Sequence, residues 1–413
     1  MERKRVVITG LGTVNPLANN VRLTWDKALS GQSGIDYITH FDVSDYKTKI
    51  AGEVRNLDYS QILDPKEAKR MDNFCIYGMC AGDEAIRDSG LNLDQEDPTR
   101  IGIIIGTGMG GIATFEEQLK TLFQKGPSRV SPFFIPMLIP DILPGQLAIR
   151  YGLKGDNYTI TSACASSAHA LSEAYWTIAT GRQTIIISGG AEATISPTAL
   201  AGFNSMRAIS VQNDNPATAS KPFDLNRDGF VMSEGSAILV LEELEHARSR
   251  NAKIYAEFIG FGFSCDAYHI TAPDMAGAVI VMKKALDMAG IQPEQIGHIN
   301  AHGTSTPPND KSESQAIKQV FGEHAYRIKV CSTKSMTGHM LGAAGAVEAI
   351  LTSLSLQHQI ILPTINYQTP DPDCDLDYNP HHTSPLQFDY ALSNSFGFGG
   401  HNCSIILKRY HAE

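Results

Sequence analysis

The sequence has little that would tie it to a membrane, a disulfide scaffold or a nucleic acid. No apolar run in its 413 residues is long enough to cross a bilayer, and no signal-peptide core follows the basic start Met1-Glu2-Arg3-Lys4-Arg5. The seven cysteines are odd in number and none forms a CxxC pair, which argues for reduced thiols and against a disulfide framework or zinc site. Cations are outnumbered: 34 Lys and Arg against 44 Asp and Glu leave a net charge of −10. That balance speaks against nucleic acid, and an acidic protein partner would have to dock on a local basic patch. Together these absences point to a soluble protein of the cytoplasm. What is present is core-forming material: 42% of residues are hydrophobic and only 19% charged, which excludes global disorder.

A chain of this length exceeds one usual core, so two units are expected. Apolar β-branched runs at Arg5–Gly10, Arg100–Ile105, Tyr158–Ile160, Thr184–Ser188 and Ala237–Leu241 read as buried strands. Helical stretches lie between them, at Met71–Asp88 and Cys164–Thr180. Alternating strands and helices mean an α/β fold with sheets covered on both faces. The second half resembles a worn copy of the first. Val6-to-Gly12 matches Ala256-to-Gly262, and Ile101-to-Gly108 matches Ile296-to-Gly303. The helix opening at Cys164 matches the one after Gly338-to-Gly345, and Ile187-to-Ala191 matches Ser395-to-Gly400. The expected organisation is a duplicated α/β unit, 1–251 and 252–413, with the site where equivalent loops converge.

Four segments carry chemistry. In Thr159-Ile160-Thr161-Ser162-Ala163-Cys164-Ala165-Ser166-Ser167-Ala168-His169 a strand runs through a turn into a helix opened by small residues. A cysteine there feels the positive end of the helix dipole, which lowers the thiol pKa and favours a nucleophilic thiolate. Local N–H groups could form an oxyanion hole. A lone cysteine is more often an inert core residue, but the strand–turn–helix context reverses that weighting. In Asn300-Ala301-His302-Gly303-Thr304-Ser305-Thr306-Pro307 a histidine follows a strand on a structured loop, where a structural and a functional role are equally open. Ser332-to-Ala346 places Lys334 in a turn and His339 at a helix start, where the dipole disfavours imidazolium. For Lys334 alone, a solvated surface lysine is the safer assignment. Ala391-to-Asn402 is a strand entering a glycine-rich loop with Phe396 and Phe398, a plausible lid; no lysine or Walker spacing supports nucleotide binding.

These segments, with Lys221-Pro222-Phe223-Asp224, Arg227-Asp228-Gly229-Phe230 and Ser264-to-His269, resemble the thiolase superfamily. Within it they are most similar to the elongating, type II β-ketoacyl-acyl-carrier-protein synthases, over essentially the whole chain. The resemblance implies a thiolase-like duplicated α/β unit in five layers, αβαβα. It implies decarboxylative condensation of malonyl-acyl-carrier protein with an acyl-enzyme, for fatty-acid elongation. A specialised ketosynthase of a type II polyketide or polyene pathway would share the catalytic residues, and a silent partner subunit would lack them.

The resemblance also assigns roles. Cys164 takes the acyl chain, His302 and His339 promote loss of carbon dioxide, and Lys334 tunes their electrostatics. Backbone N–H groups of Cys164 and Phe398 form the oxyanion hole, and Phe398 gates entry. Met109, Phe203, Thr304, Thr306 and Phe396 join Phe398 in binding substrate. Lys66, Lys69, Arg70, Arg129 and Arg207 dock the carrier protein; Lys66 and Arg70, four apart, would share a helix face. Each could equally be an ordinary surface charge. Asn300, Glu348 and Asn394 match ligands of a sodium or potassium ion, with a plain buried hydrogen-bond network the equal alternative. No resident cofactor is implied, because substrates arrive on the carrier's phosphopantetheine. A homodimer is implied, with a Gly189-Gly190 turn after the apolar strand Thr184–Ser188 running toward the partner. The chain departs from the family at Pro307-Pro308-Asn309-Asp310, where Pro-Ala-Gly-Asp is usual. It departs again at Gly399-Gly400-His401-Asn402, at Thr161-Ser162-Ala163 and in the prolines of Met137-to-Pro144. These changes bear on acyl-chain specificity and leave the reaction type intact.

Overall fold

In the computed structural model, which describes residues 3–411, the β-branched runs form strands and the stretches between them helices. Met1 and Glu2 of the basic start lie outside the described residues. The first half supplies β1 (Val6–Val14), β2 (Ile101–Gly106), β3 (Asn157–Ile160), β4 (Ile185–Glu192) and β5 (Gly235–Glu243). The second supplies β6 (Ala256–Cys265), β7 (Ile296–Asn300), β8 (Lys329–Cys331), β9 (Tyr390–Gly397) and β10 (His401–Lys408). The helices that matter for the site are α1 (Asn73–Ser89), α2 (Ser166–Ala179), α3 (Met275–Ala289), α4 (Pro307–Phe321) and α5 (Ala344–His358).

Strand order repeats between the halves. One runs β3-β2-β4-β5-β1 and the other β8-β7-β9-β10-β6. Strand directions repeat as well: β2 is parallel to β3 and β4, as β7 is to β8 and β9, while the remaining neighbours within each half are antiparallel. A short antiparallel stretch, Val6–Ile8 against Ala256–Phe258, joins the two sheets. Helices α2 and α5 touch each other and both sheets, so they form the middle layer. Helix α1 covers the outer face of one sheet, and α3 with α4 that of the other. The result is the five-layered αβαβα arrangement, with an apolar cluster in each interlayer space.

The repeated Gly-x-Gly has a packing cause. A Cβ on Gly12 of β1 would stand 1.9 Å from the Ala81 carbonyl of α1, and one on Gly262 of β6 would stand 2.2 Å from the Val281 carbonyl of α3. Each glycine therefore lets a helix lie directly on its strand, and the duplication preserves the device.

Three expectations are corrected. Strand β4, which holds Thr184–Ser188 but for its first residue, runs on through Gly189 and Gly190, so no turn follows there, and it lies between β2 and β5 rather than at an edge. The free sheet edges are β3 and β8. The first long helix starts at Asn73 rather than Met71, because Asp72 caps it by accepting the Phe74 N–H at 3.2 Å. The second starts at Ser166, leaving Cys164 in the turn before it. Among the described residues no helix is long and apolar enough to cross a membrane.

Candidate active site

The chemistry-bearing loops leave the carboxyl ends of parallel strands, where α/β sheets place their ligand sites. Met109 follows β2, Cys164 follows β3, His302 follows β7 and His339 follows β8. They converge on one cavity of about 380 Å³. Cys164, His302 and His339 line it, as do Met109, Phe203, Thr304, Thr306, Phe396 and Phe398. All six residues expected to bind substrate are thus in one wall or another of the same space.

Cys164 sits on a strained turn. Ala163 before it has φ +51°, a left-handed conformation that costs energy for a residue with a Cβ. The Ser166 hydroxyl holds the turn, donating to the Ala163 carbonyl at 2.6 Å and accepting the Ser162 N–H at 2.9 Å. Gly397 lets the Phe398 loop come close, since a Cβ there would lie 2.7 Å from the Ser162 carbonyl. The backbone N–H groups of Phe398 and Cys164 lie near enough to the Cys164 sulfur to favour its thiolate. Two N–H groups meeting at the nucleophile are what an oxyanion hole requires. The expected low thiol pKa is not found. Burial pushes the Cys164 thiol up to about 12, with Glu192 adding to the rise, against the pull of Lys334 and the two N–H groups. Cys164 is 7% exposed, and desolvation of the thiolate outweighs the helix start.

The two histidines face each other, ring centroids 5.4 Å apart and planes at 83°. Both are fully buried, and burial together with the nearby Lys334 charge holds each well below the ordinary imidazole range. They are neutral at physiological pH. Glu313 of α4 accepts the His302 and Gly303 N–H groups at 2.9 and 2.8 Å and fixes the loop. Lys334 Nζ approaches His302 Nδ1 at 3.4 Å. An ammonium can only donate, so Nδ1 is the acceptor and the ring proton sits on Nε2. Lys334 is no surface lysine: it is 1% exposed and paired with buried Glu348. His339 is also not at a helix start, since α5 opens at Ala344. Instead its backbone is tied to Val231 and Ser233, and Phe230 packs edge-on against its ring at 5.2 Å.

Comparison with known proteins fits this arrangement. The family model of the β-ketoacyl synthase N-terminal domain matches residues 3–247, and that of its C-terminal domain matches 255–368. The chain is 50% identical over 412 residues to 3-oxoacyl-[acyl-carrier-protein] synthase 2 of Synechocystis sp., covering 99% of each chain. It is 49% identical over 413 residues to the enzyme of the same name from Staphylococcus aureus, covering 100% of each. Among solved structures, a β-ketoacyl synthase from Burkholderia phymatum matches with a TM-score of 0.93 at 34% identity, over 99% of this chain and 100% of that one. The ishigamide ketosynthase/chain length factor matches with a TM-score of 0.94, also at 34% identity and the same coverage. The chain belongs to the β-ketoacyl synthase family.

In this synthase the expected cation ligands divide. Asn300 Oδ1 and Glu348 Oε2 are buried oxygens without partners among the described residues, and the Asn300 amide nitrogen donates to the Glu348 backbone carbonyl at 3.4 Å. The Asn394 amide is already engaged, accepting from Ser404 at 2.6 Å and donating to Glu313 at 3.0 Å. Of the docking cations only Arg207 lines the cavity. Lys66 and Arg70 do not share a helix face, because that helix is only Pro65–Ala68; Arg70 lies beyond it, its guanidinium 4.5 Å over the Phe133 ring. None of Lys66, Lys69, Arg70, Arg129 and Arg207 has a salt-bridge partner among the described residues.

Sequence reasoning missed Glu192 and Glu313. Glu192 ends β4 and is fully buried, taking N–H groups from Gly108, Met109 and Gly342 at 2.7, 3.1 and 2.9 Å. It clamps the Met109 and Leu341 loops together across the cavity. A carboxylate closing an apolar strand, Gly189-Gly190-Ala191-Glu192, was the available signal.

The buried thiol sets a pH dependence. Only the thiolate is alkylated, so the rate at which a small neutral haloacetamide modifies Cys164 should climb steadily from about pH 7 to about pH 10 without levelling off. A plateau below about pH 9 would mean that the helix start and N–H groups outweigh burial after all.

Proposed function

We propose that this synthase elongates fatty acids in the cytoplasm, condensing malonyl-acyl-carrier protein with an acyl-enzyme thioester to give 3-oxoacyl-acyl-carrier protein. The observation that carries the reading is the meeting of Cys164, His302 and His339 in one cavity. Half 1–251 supplies the nucleophile and half 252–413 the histidines. In the first step the Cys164 sulfur attacks the acyl thioester carbonyl. The oxyanion rests on the Cys164 and Phe398 N–H groups, and the carrier thiol leaves with the proton. Malonyl thioester then enters past Phe398. Its carbonyl oxygen is held by the neutral histidines, which stabilise the enolate as the C–C bond to carbon dioxide breaks. The carbanion attacks the acyl-Cys164 carbonyl, the new C–C bond forms as the C–S bond breaks, and Cys164 leaves as a thiolate that takes a proton from water to restore the enzyme. Lys334 positions His302. The full-length identity to curated elongating synthases favours this reading over a specialised polyketide or polyene ketosynthase.

The orphaned oxygens of Asn300 and Glu348 fit a monovalent cation, which would join Lys334 in keeping Glu348 ionised against its burial. The chain would pair as a homodimer across the open edge of β3, beside which Ile135 and Ile149 stand 57% and 78% exposed. The carrier protein, known for this kind of enzyme to be acidic, would dock on the unpaired cations. The nearby carboxylates do not quench these: Asp64 and Glu67 are taken up in a capping box.

Each part has its measurement. Cys164→Ala should abolish acylation. His302→Ala and His339→Ala should still acylate but each lose malonyl decarboxylation by about 100-fold or more; near-normal carbon dioxide release would remove that histidine from the mechanism. Replacing potassium by choline should lower the melting midpoint if Asn300 and Glu348 hold a cation, and leave it unmoved if they do not. Light scattering at micromolar concentration should give twice the chain mass, and a monomer would contradict pairing at β3. Reversing Lys69 and Arg70 to Glu should raise KM for carrier-bound substrates roughly tenfold or more while sparing small thioester mimics. Equal losses on both would mean the patch supports the fold instead.

A further inference from the structure

Glu192 has no part in the reaction steps, yet it is fully buried and lines the active-site cavity. It ends β4 and gathers donors from two separate loops. Oε2 accepts the Gly108 N–H at 2.7 Å and the Gly342 N–H at 2.9 Å. Oε1 accepts the Met109 N–H at 3.1 Å and the Thr107 hydroxyl at 3.5 Å. Both loops make room by having no side chain there: a Cβ on Gly342 would stand 2.5 Å from Oε2, and one on Gly108 2.7 Å. The 3-10 turn Leu341–Ala343 needs such an anchor. Leu341 has φ +45°, a left-handed conformation that costs energy for a residue with a Cβ. Met109 and Leu341 are side chains that these two loops present to the cavity.

Three N–H groups and a hydroxyl converging on two oxygens call for a strong acceptor with no proton of its own, which is an ionised carboxylate. A neutral carboxyl or an amide sets its own donor against at least one of these groups and loosens the anchor on a loop. Ionisation here is closely balanced: burial pushes the Glu192 carboxyl up to about 7, against the pull of the N–H groups and Thr107. The Cys164 thiol faces it from the turn after β3. The loops at 107–111 and 340–345 carry no titratable side chain, and β5 sets Gly235 opposite it. With a malonyl carbonyl on the histidines, an acyl chain on Cys164 must extend the other way. There Cys164 packs in an apolar cluster with Ile195, Leu200, Phe203 and Leu341.

We propose that Glu192 is a positioning residue for the acyl chain: its carboxylate holds the Met109 and Leu341 walls in place and so makes acylation of Cys164 sensitive to chain length. A long chain has more apolar surface to lay against those walls than a short one, so a loosened clamp costs the long chain more. The assignment rests on Cys164 being the acylated residue, as proposed above.

The test compares kcat/KM for acylation by butanoyl- and dodecanoyl-carrier protein, followed by mass spectrometry of the Cys164 peptide, from about pH 6 to about pH 8.5. In wild type the dodecanoyl-to-butanoyl ratio should rise roughly 3- to 10-fold across that range as the carboxyl ionises, with a midpoint at about 7. Ionisation of the Cys164 thiol speeds both substrates alike and cancels in the ratio. Glu192→Gln should hold the low ratio and stay flat with pH. An equal loss on both chains in the variant, or a variant ratio that still climbs with pH, would overturn the assignment. If the variant does not fold, wild type decides alone: a ratio that rises with pH supports the clamp, and a constant one overturns it. Acylation at a residue other than Cys164 would show in the peptide map as a separate result, sinking the reaction scheme and this assignment with it.

Discussion

The site depends on an ion pair buried under its floor. Lys334 and Glu348 are each 1% exposed, and their contact is what allows an ammonium to stand beside two imidazoles with no water to screen it. Burial pushes Glu348 up to about 7 even though Lys334 pulls it down. Removing one partner of such a pair typically costs about 3–5 kcal/mol, because the remaining charge is left uncompensated. The ammonium points at His302 Nδ1, fixes its tautomer, and lowers the proton affinity of both rings. Burial of the whole floor enforces the same result, so the neutrality of the histidines is secured twice.

That floor is reached from two directions because the fold is duplicated. Cys164 after β3 and His339 after β8 occupy equivalent places in the two halves, as do Met109 after β2 and His302 after β7. The duplication was legible from four short segments, since strand–turn patterns survive divergence better than the helices between them. Cys164, His302, Phe396 and Phe398 were legible too, because each belongs to a motif of small residues and aromatics at a strand end, whereas Phe203, on the helix Pro197–Met206, came only from the resemblance. The Gly-x-Gly strands were visible as a repeat, but their cause, helices lying against bare backbone, needed the third dimension.

Burial is what the sequence could not supply, and the corrections at the site trace to it. A cysteine near a helix start predicts a low pKa only if water or a strong charge solvates the thiolate; at Cys164 neither does. Lys334 reads as a surface lysine because its partner lies fourteen residues on, across a turn and a 3-10 segment. Glu192 and Glu313 hold the cavity loops mainly through backbone N–H groups, and backbone donors leave no residue type to find in a motif. Strand Thr184–Ser188 looked available to a partner because apolar runs do not reveal whether a strand is central or at an edge; its neighbours β2 and β5 settle that.

The neutrality of the histidines has a chemical purpose in the proposed reaction. A carbanion released beside an imidazolium would take its proton at once, and decarboxylation would end in a dead acetyl thioester. Neutral imidazoles are far weaker acids, so they can hold the enolate oxygen by hydrogen bonds without giving the proton away. The buried Lys334 charge then has two effects of opposite appearance and a single outcome. It draws negative charge toward the floor, and it keeps both rings from becoming acids. Phe396, its ring 5.6 Å from that of His302, adds an apolar wall that disfavours the charged malonyl carboxylate relative to neutral carbon dioxide. A site organised this way spends its one ammonium on electrostatics rather than on proton transfer, which is why that ammonium lies beneath the cavity and does not line it.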